Sequence, residues 1–377
     1  MRPSPSRLLL LLLMLLTALG EISTQLLIPA LGALERGLHA APGSSLLALS
    51  LFVAAFGLGQ LLLGPLSDRL GRRPVLLAGL SLYLLASLGM LLAENIQTLI
   101  AARVLQGFGA CAALVLARAI VRDVWQAEAG PALALTVLGM FVAIVLSPLL
   151  GGLLTQYGGW RAPLVASLVL GGVALLAVLG SYRESHLQRD PQAGRLSRLA
   201  GDYWDLLGSC RALALTIAMT YGAMFVVVAG SSAVYIGLLG LSAAQYGMTF
   251  AAIVSGLLGG ALFTLRNVQR LGPQRVVAIG VALVLAGAAL SLAIYVLFGL
   301  SLLGLSLPQV LVTLGGGMLL PAAVAGAVIP NPQRAGLAAG LMGFAQMSGA
   351  TVSGLLLAWL QDGSAWPMVA LNALFAV

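Results

Sequence analysis

Two ionisable residues lie inside apolar stretches where a charge is costly. Glu21 follows an uncharged run from Leu8 to Gly20, and Arg103 interrupts the apolar sequence ARVLQGFGA. A charged side chain at the centre of a bilayer costs at least about 2.5–3.5 kcal/mol. A carboxylate in such a place can take up and release a proton, whereas an arginine stays charged and favours the ionised carboxylate beside it. The two residue types are therefore candidates for proton-linked chemistry, and a static pair that holds two helices together is the alternative.

The composition places both residues in a polytopic membrane protein. The chain has 377 residues, of which 60% are hydrophobic and 8% are charged, whereas about 25% are charged in typical soluble domains. Its mean hydropathy is +1.05. Apolar stretches near 20 residues, each long enough to cross about 30 Å of hydrocarbon, recur along the chain. They predict spans at 8–31, 45–66, 75–93, 97–121, 131–156, 163–182, 211–237, 245–266, 275–298, 302–328, 335–360 and from 364, the last of which we expect to be incomplete.

The arginines predict the orientation. All 19 basic residues are arginine, and with a cytoplasmic N-terminus only Arg36 and Arg161 fall in outer loops. This asymmetry follows the positive-inside rule. It also explains the net charge of +8 without a nucleic-acid partner. Two histidines, His39 and His186, are predicted in polar loops, so we expect no metal site within the membrane.

One long polar segment divides the chain into two halves. We predict a six-helix bundle at 1–182, a cytoplasmic linker at 183–210 and a second bundle at 211–377. Within the linker, LSRLAGDYWDLLGS has apolar residues at helical spacing, which predicts a helix on the inner membrane surface, with a disordered linker as the alternative. RLGRRPVLLAG from Arg69 and RLGPQRVVAIG from Arg270 each follow the second span of a half, which indicates an internal repeat.

The sequence GPLSDRLGRRPVLL after span two combines turn residues with charge. Its glycines permit close or left-handed backbone geometry, and its aspartate can pair with neighbouring arginines at the membrane edge. An ordinary positive-inside loop is the alternative. The candidate gating loop consists of Gly64, Asp68, Arg69, Gly71, Arg72 and Arg73.

This loop resembles the signature of the major facilitator superfamily. RVLQGFGA from Arg103, LSPLLGGLL from Leu146 and GSAWPM from Gly363 further resemble drug/proton antiporters of the Bcr/CflA (bicyclomycin/chloramphenicol resistance) and Mdf types. The resemblance implies an all-α fold of two six-helix bundles related by a pseudo-two-fold axis along the membrane normal. It also implies a bacterial inner-membrane transporter rather than an enzyme, without a cofactor and driven by the proton gradient. Asp68 and its arginines would then latch the halves on the inner side.

The resemblance assigns roles within spans one, four and five. Its span-four arginine is implicated in proton coupling, so we expect Glu21 and Arg103 to face one cavity; a static structural pair is the alternative. In Bcr-type relatives the acid commonly lies four residues before a proline, a position that Gln25 fills here, whereas Glu21 matches the Mdf-type position. We expect span five to bend and pack closely through Ser147, Pro148, Gly151 and Gly152.

Polar, aromatic and methionine side chains on the spans that line the cavity of this fold are candidates for substrate contact. They are Gln25, Gln60, Tyr221, Met224, Phe225, Gln346 and Met347. The expected partners are a small amphipathic substrate, protons and membrane lipids, and the expected unit is a monomer. An uptake carrier for a sugar or nucleoside is the alternative function, although such sites usually need more hydrogen-bonding side chains.

Overall fold

The protein is a bundle of long helices. The computed structural model describes residues 5–186, 196–331 and 334–377, and it contains no β-strand within those ranges. The helices are α1 (Arg7–Gly37, with a 3-10 turn at Ile28–Ala30), α2 (Ser44–Leu70), α3 (Arg72–Leu91), α4 (Ile96–Trp125), α5 (Ala129–Gly158), α6 (Ala162–Ser181), α7 (Leu196–Ser231, continued by a π-helical segment Ser232–Leu238), α8 (Ala243–Leu271), α9 (Pro273–Phe298), α10 (Leu302–Val328), α11 (Ala335–Leu360) and α12 (Trp366–Ala376).

These helices confirm the predicted all-helical membrane fold. In the described residues, eleven helices are long and apolar enough to cross a membrane, and α12 is a shorter apolar helix. Each matches one predicted span in order. We call the end of the bundle at which α6 ends and α7 begins the linker end, and the opposite end, at which α1 meets α2, the far end.

The two RLG sequences fold alike. Gly71 ends α2 with φ 102° and ψ 154°, and Gly272 ends α8 with φ 80° and ψ 151°. Both conformations have positive φ, which glycine adopts at little cost because it lacks a Cβ atom. A new helix begins at the next residue in both places. The shared backbone supports the internal repeat that the sequence indicated.

Helix α7 corrects one prediction about the linker. The sequence predicts a helix on the inner membrane surface for residues 196–209, with a disordered linker as the alternative. These residues are helical, but they form the first turns of a helix that continues to Ser231. No proline interrupts these residues, so the backbone hydrogen-bond ladder passes from the polar segment into the apolar span. Residues 196–210 of the linker are therefore helical and continuous with α7, whereas residues 183–186 form no regular secondary structure.

The N-terminal helices α1–α6 and the C-terminal helices α7–α12 meet along two main seams. Helix α2 packs against α11, and α5 packs against α8. Both seams use glycines where backbones approach closely: Gly57 of α2 faces Met347 of α11, and Gly247 of α8 faces the Pro148 carbonyl of α5. Small residues permit this approach between membrane helices. The seams enclose the space in which the candidate site lies.

Candidate functional site

A central cavity lies between the two halves. It contains about 840 Å³ of space not filled by protein atoms, a volume that includes space open to solvent. Its wall is mostly aromatic and aliphatic and draws on α1, α2 and α5 from one half and on α7, α8, α10 and α11 from the other. The lining residues are Gly20, Glu21, Thr24, Gln25, Phe52, Val53, Phe56, Ile144, Tyr221, Met224, Phe225, Val227, Val228, Phe250, Ile253, Val254, Leu257, Gln309, Val312, Thr313 and Met347.

Glu21 is the single ionisable acid among the described residues of this wall. It projects from α1, and the Tyr221 hydroxyl of α7 donates a long hydrogen bond of 3.4 Å to its Oε1 atom. This bond joins the N-terminal half to the C-terminal half.

Arg103 does not share the cavity with Glu21, which corrects the expected pairing. Its side chain is 1% exposed, and its guanidinium carbon lies 4.1 Å from the centroid of the Phe52 ring. Its Nη1 atom donates a 2.6 Å hydrogen bond to Gln106, while Nε and Nη2 have no partner in the described residues. Phe52 also lines the cavity, so its ring has Arg103 on one side and the cavity on another.

The structure brings most of the predicted cavity residues together. Gln25, Tyr221, Met224, Phe225 and Met347 line the wall. Two predicted residues do not belong to the lining, Gln60 and Gln346. Gln60 packs in the seam between α2 and α11, where its side chain contacts Gly343. It lies in the helix contact rather than in the cavity because the glycine leaves room for the amide there.

Several wall residues were missed by the sequence analysis. Phe52 and Phe56 lie four residues apart on α2, with ring centroids 6.1 Å apart, and Phe250 contributes from α8. An aromatic pair at one-turn spacing is a signal that could have predicted the α2 pair. Gln309 of α10 gave no such signal, because a single glutamine in an apolar helix does not reveal which way it faces.

The predicted charge cluster after α2 is present. Arg72 pairs with Asp68 at 2.6 Å and with Asp123 of α4 at 3.1 Å. Glu184, which the sequence did not predict, accepts hydrogen bonds of 3.0 Å from the backbone N–H groups of Arg72 and Arg73. A carboxylate there caps the N-terminus of α3 and interacts favourably with its dipole. These contacts lie within the N-terminal half, so a latch between the halves through Asp68 stays a prediction.

Other contacts connect the halves at the linker end. The Tyr203 hydroxyl of α7 donates a 2.9 Å hydrogen bond to the Leu61 carbonyl of α2. Pro65 lies four residues after Leu61 and has no N–H to offer that carbonyl. The turn that carries Tyr203 is attached to the C-terminal half, because Asp202 pairs with Arg334 at 3.4 Å.

Helix α5 packs closely across the far end, as predicted. A Cβ atom at Gly151 would lie 2.5 Å from the Leu26 carbonyl of α1, and one at Gly152 would collide with the Ala243 carbonyl of α8. The Gln156 side chain accepts a 3.1 Å hydrogen bond from the Ala244 N–H. Ser147 and Pro148 are buried in the same seam. The predicted bend at Pro148 stays a prediction.

Comparison with known proteins identifies the family. The family model described as Major Facilitator Superfamily matches residues 13–371. The chain belongs to the major facilitator superfamily. Multidrug resistance protein D of Escherichia coli (strain K12) is 32% identical over 359 residues, which cover 93% of this chain and 89% of that protein. A chloramphenicol resistance protein of Pseudomonas aeruginosa is 32% identical over 374 residues, covering 93% and 84%.

Solved structures agree on the fold of this major facilitator protein. A D-xylose-proton symporter matches with a TM-score of 0.76 at 15% identity, covering 98% of this chain and 96% of that chain. A nucleoside transporter matches with a TM-score of 0.73 at 14% identity, covering 98% of both. The family comprises transporters and not enzymes. Its bacterial relatives and the eleven spanning helices make this chain a multi-pass protein of the bacterial inner membrane.

Proposed function

We propose that this protein exports small amphipathic compounds across the bacterial inner membrane in exchange for protons. The observation that carries the proposal is the position of Glu21, a carboxylate in an otherwise uncharged aromatic and aliphatic cavity between the halves. Its hydrogen bond to Tyr221 connects its protonation state to the opposite half. The multidrug and chloramphenicol resistance named for the relatives agrees with such a cargo.

Proton exchange follows from the two opposed influences on Glu21. Apolar surroundings favour the neutral carboxyl, whereas contact with water favours the carboxylate. Opening the cavity to either side changes the water contact, so Glu21 takes up a proton in one state and releases it in the other. Rocking of the halves about the α2–α11 and α5–α8 seams would supply the alternating access.

The residues of the wall also limit which class of substrate the cavity can bind. Phenylalanine, methionine and valine side chains offer adaptable apolar surface, which suits an amphipathic molecule, either neutral and chloramphenicol-like or a lipophilic cation. A sugar needs many hydrogen-bonding side chains. Here the hydroxyls of Thr24 and Thr313 already donate to backbone carbonyls, at 3.0 and 2.7 Å. The cavity therefore favours drug export over the uptake of a sugar or nucleoside.

The transporting unit in this proposal is a monomer with a cytoplasmic N-terminus. One chain completes the cavity, because both halves contribute to its wall. The arginines favour this orientation, since the exposed Arg69, Arg270 and Arg275 lie at the linker end. No cofactor is needed, because the proton gradient supplies the energy.

Everted vesicles containing a pH-sensitive dye test the proposal. Chloramphenicol or a lipophilic cation should evoke proton release with the wild type, and Glu21→Gln should reduce that release to the level of empty vesicles, because an amide cannot exchange a proton. Glu94→Gln is the matched control, since Glu94 is exposed outside the helices and should leave the release unchanged. Unaltered release in Glu21→Gln would exclude Glu21 as the proton site, and drug export without proton movement would contradict antiport.

A further inference from the structure

Three buried polar groups form a chain of hydrogen bonds beside the cavity. Gln309 of α10 donates through Nε2 to Asn372 Oδ1 of α12 at 3.1 Å, and Asn372 donates through Nδ2 to the Ala223 carbonyl of α7 at 2.9 Å. Gln309 is 4% exposed and Asn372 is 0% exposed. Neither residue has a role in the proton exchange described above.

The Ala223 carbonyl determines how both amides are turned. A carbonyl oxygen can only accept, so Asn372 must direct its NH2 group toward Ala223 and its oxygen toward Gln309. Gln309 must then direct its own NH2 group toward that oxygen. Amide orientation is assigned from such hydrogen-bond partners, and here a backbone group of fixed polarity decides the assignment.

Because these hydrogen bonds use only the NH2 group of Gln309, its carbonyl oxygen is free to face the cavity. Gln309 lines the wall, its Oε1 atom makes no hydrogen bond with any described residue, and that atom is not sealed within the protein. The other lining amide differs. The Oε1 atom of Gln25 is buried and has no hydrogen-bond partner among the described residues, so Gln25 does not offer its oxygen to the cavity as Gln309 does.

The hydroxyl groups of the wall offer no free donor to a ligand. Thr24 and Thr313 donate their hydrogens to backbone carbonyls, and Tyr221 donates to Glu21. Apart from the free amide of Gln25, the polar atoms left for a ligand are therefore acceptors while Glu21 is ionised, namely the Glu21 carboxylate and the Gln309 carbonyl oxygen. Only the Gln309 oxygen stays an acceptor when Glu21 holds a proton.

We infer that Gln309 is a specificity-determining residue that accepts a hydrogen bond from the substrate, and that Asn372 is the positioning residue that keeps its oxygen toward the cavity. The selected compounds are amphipathic molecules that carry an N–H or O–H donor on an otherwise apolar body. This inference rests on the proposed function, because it describes the cargo of the same cavity.

Binding of matched compounds to the purified protein tests the inference. Chloramphenicol and its di-O-methyl ether differ in hydroxyl donors, and a protonated tertiary arylalkylamine and its quaternary N-methyl salt differ in one N–H at equal charge. Isothermal titration calorimetry in detergent should show roughly fivefold to tenfold tighter binding of the donor-bearing member of at least one pair, the value expected for one net hydrogen bond. Gln309→Met should abolish that preference by weakening only the donor-bearing member.

Two further variants separate recognition from packing. Asn372→Leu removes the group that orients Gln309, so it should reduce the preference although residue 372 is absent from the cavity wall. Gln25→Met is the matched control, because it removes an amide from the same wall whose oxygen is buried, so it should weaken both members of a pair alike. Size-exclusion profiles identify any variant that fails to fold. If Asn372→Leu fails to fold, the result for Gln309→Met decides whether the inference holds.

Equal weakening of both members in Gln309→Met would overturn the inference, and so would a wild type that binds both members equally or binds neither. Binding in detergent needs no proton gradient. A wild type that shows the donor preference yet releases no protons in vesicles would contradict the proposed antiport and leave the role of Gln309 intact.

Discussion

Arg103 shows how a buried cation is accommodated without a carboxylate. Its guanidinium faces the Phe52 ring at 4.1 Å and donates to Gln106, which in turn donates to Ser87 at 2.9 Å. A cation over an aromatic face gains about 2 kcal/mol or more when both are removed from water. The stability of this part of α4 therefore depends on a residue that also touches the cavity.

Phe52→Leu should destabilise the protein more than Phe56→Leu. Both phenylalanines line the cavity and both substitutions remove an aromatic ring, but only Phe52 faces Arg103. The loss of the cation–π contact should add about 2 kcal/mol to the cost of the Phe52 substitution. The midpoint of thermal unfolding in detergent measures the difference, and equal midpoints for the two variants would show that the contact contributes no stability.

The sequence predicted individual residues well where chemistry alone marked them. Glu21, Tyr221 and Met347 were recognised from residue type and span, and all three line the cavity. The expected Glu21–Arg103 pairing failed because position along a helix gives depth in the membrane but not direction. The Arg103 side chain turns toward Phe52, and only the packed helices determine that direction.

Helix α2 carries a proline whose effect is compensated by the other half of the molecule. Pro65 leaves the Leu61 carbonyl without its usual donor, and the Tyr203 hydroxyl of α7 supplies one. A contact of this kind has to break when α2 and α7 separate at the linker end. Its net value is about 1 kcal/mol, as for a typical neutral hydrogen bond.

Tyr203→Phe should increase opening at the linker end. Loss of one hydroxyl should raise amide hydrogen exchange in residues 58–70 of α2 roughly fivefold, the factor that corresponds to one net hydrogen bond. Hydrogen–deuterium exchange with mass spectrometry measures it. Tyr157→Phe is the control, because Tyr157 lies near the far end of α5 and is 81% exposed.

The same contact can be tested by a double-mutant cycle. Pro65→Ala restores a backbone N–H that can bond the Leu61 carbonyl within α2, so Tyr203→Phe should have a smaller effect in that background. Independent, additive effects of the two substitutions would show that the Tyr203 hydroxyl does not substitute for the missing donor.

At the scale of helices, apolar length predicted the order and number of spans because each must cross the same thickness of hydrocarbon. The α7 extension and the Glu184 cap of α3 were not predicted. The Glu184 cap depends on a contact between segments far apart in sequence, since Glu184 lies 112 residues after Arg72 and reaches it only in the folded bundle. Local periodicity contains no information about such partners.

The distribution of arginines makes the whole molecule electrostatically asymmetric. The exposed Arg69, Arg270 and Arg275 lie at the linker end, and the proposed orientation places that end in the cytoplasm. Ala41 and Gln269 are exposed at opposite ends of the bundle, and both native cysteines are buried.

Cysteine labelling of intact cells should therefore distinguish the two ends. A membrane-impermeant maleimide should label Ala41→Cys, and Gln269→Cys should react only after the cells are permeabilised. The unsubstituted protein reports background labelling from the buried cysteines. The reverse pattern would place the N-terminus outside the cytoplasm.

The continuity of α7 has a mechanical consequence. Tyr203, at the linker end, and Tyr221, beside Glu21, lie on the same uninterrupted helix, about 27 Å apart at 1.5 Å per residue. A continuous helix transmits rotation and tilt from one end to the other. A load applied to its first turns, such as a bound antibody fragment, would therefore also move Tyr221, whose hydroxyl contacts Glu21.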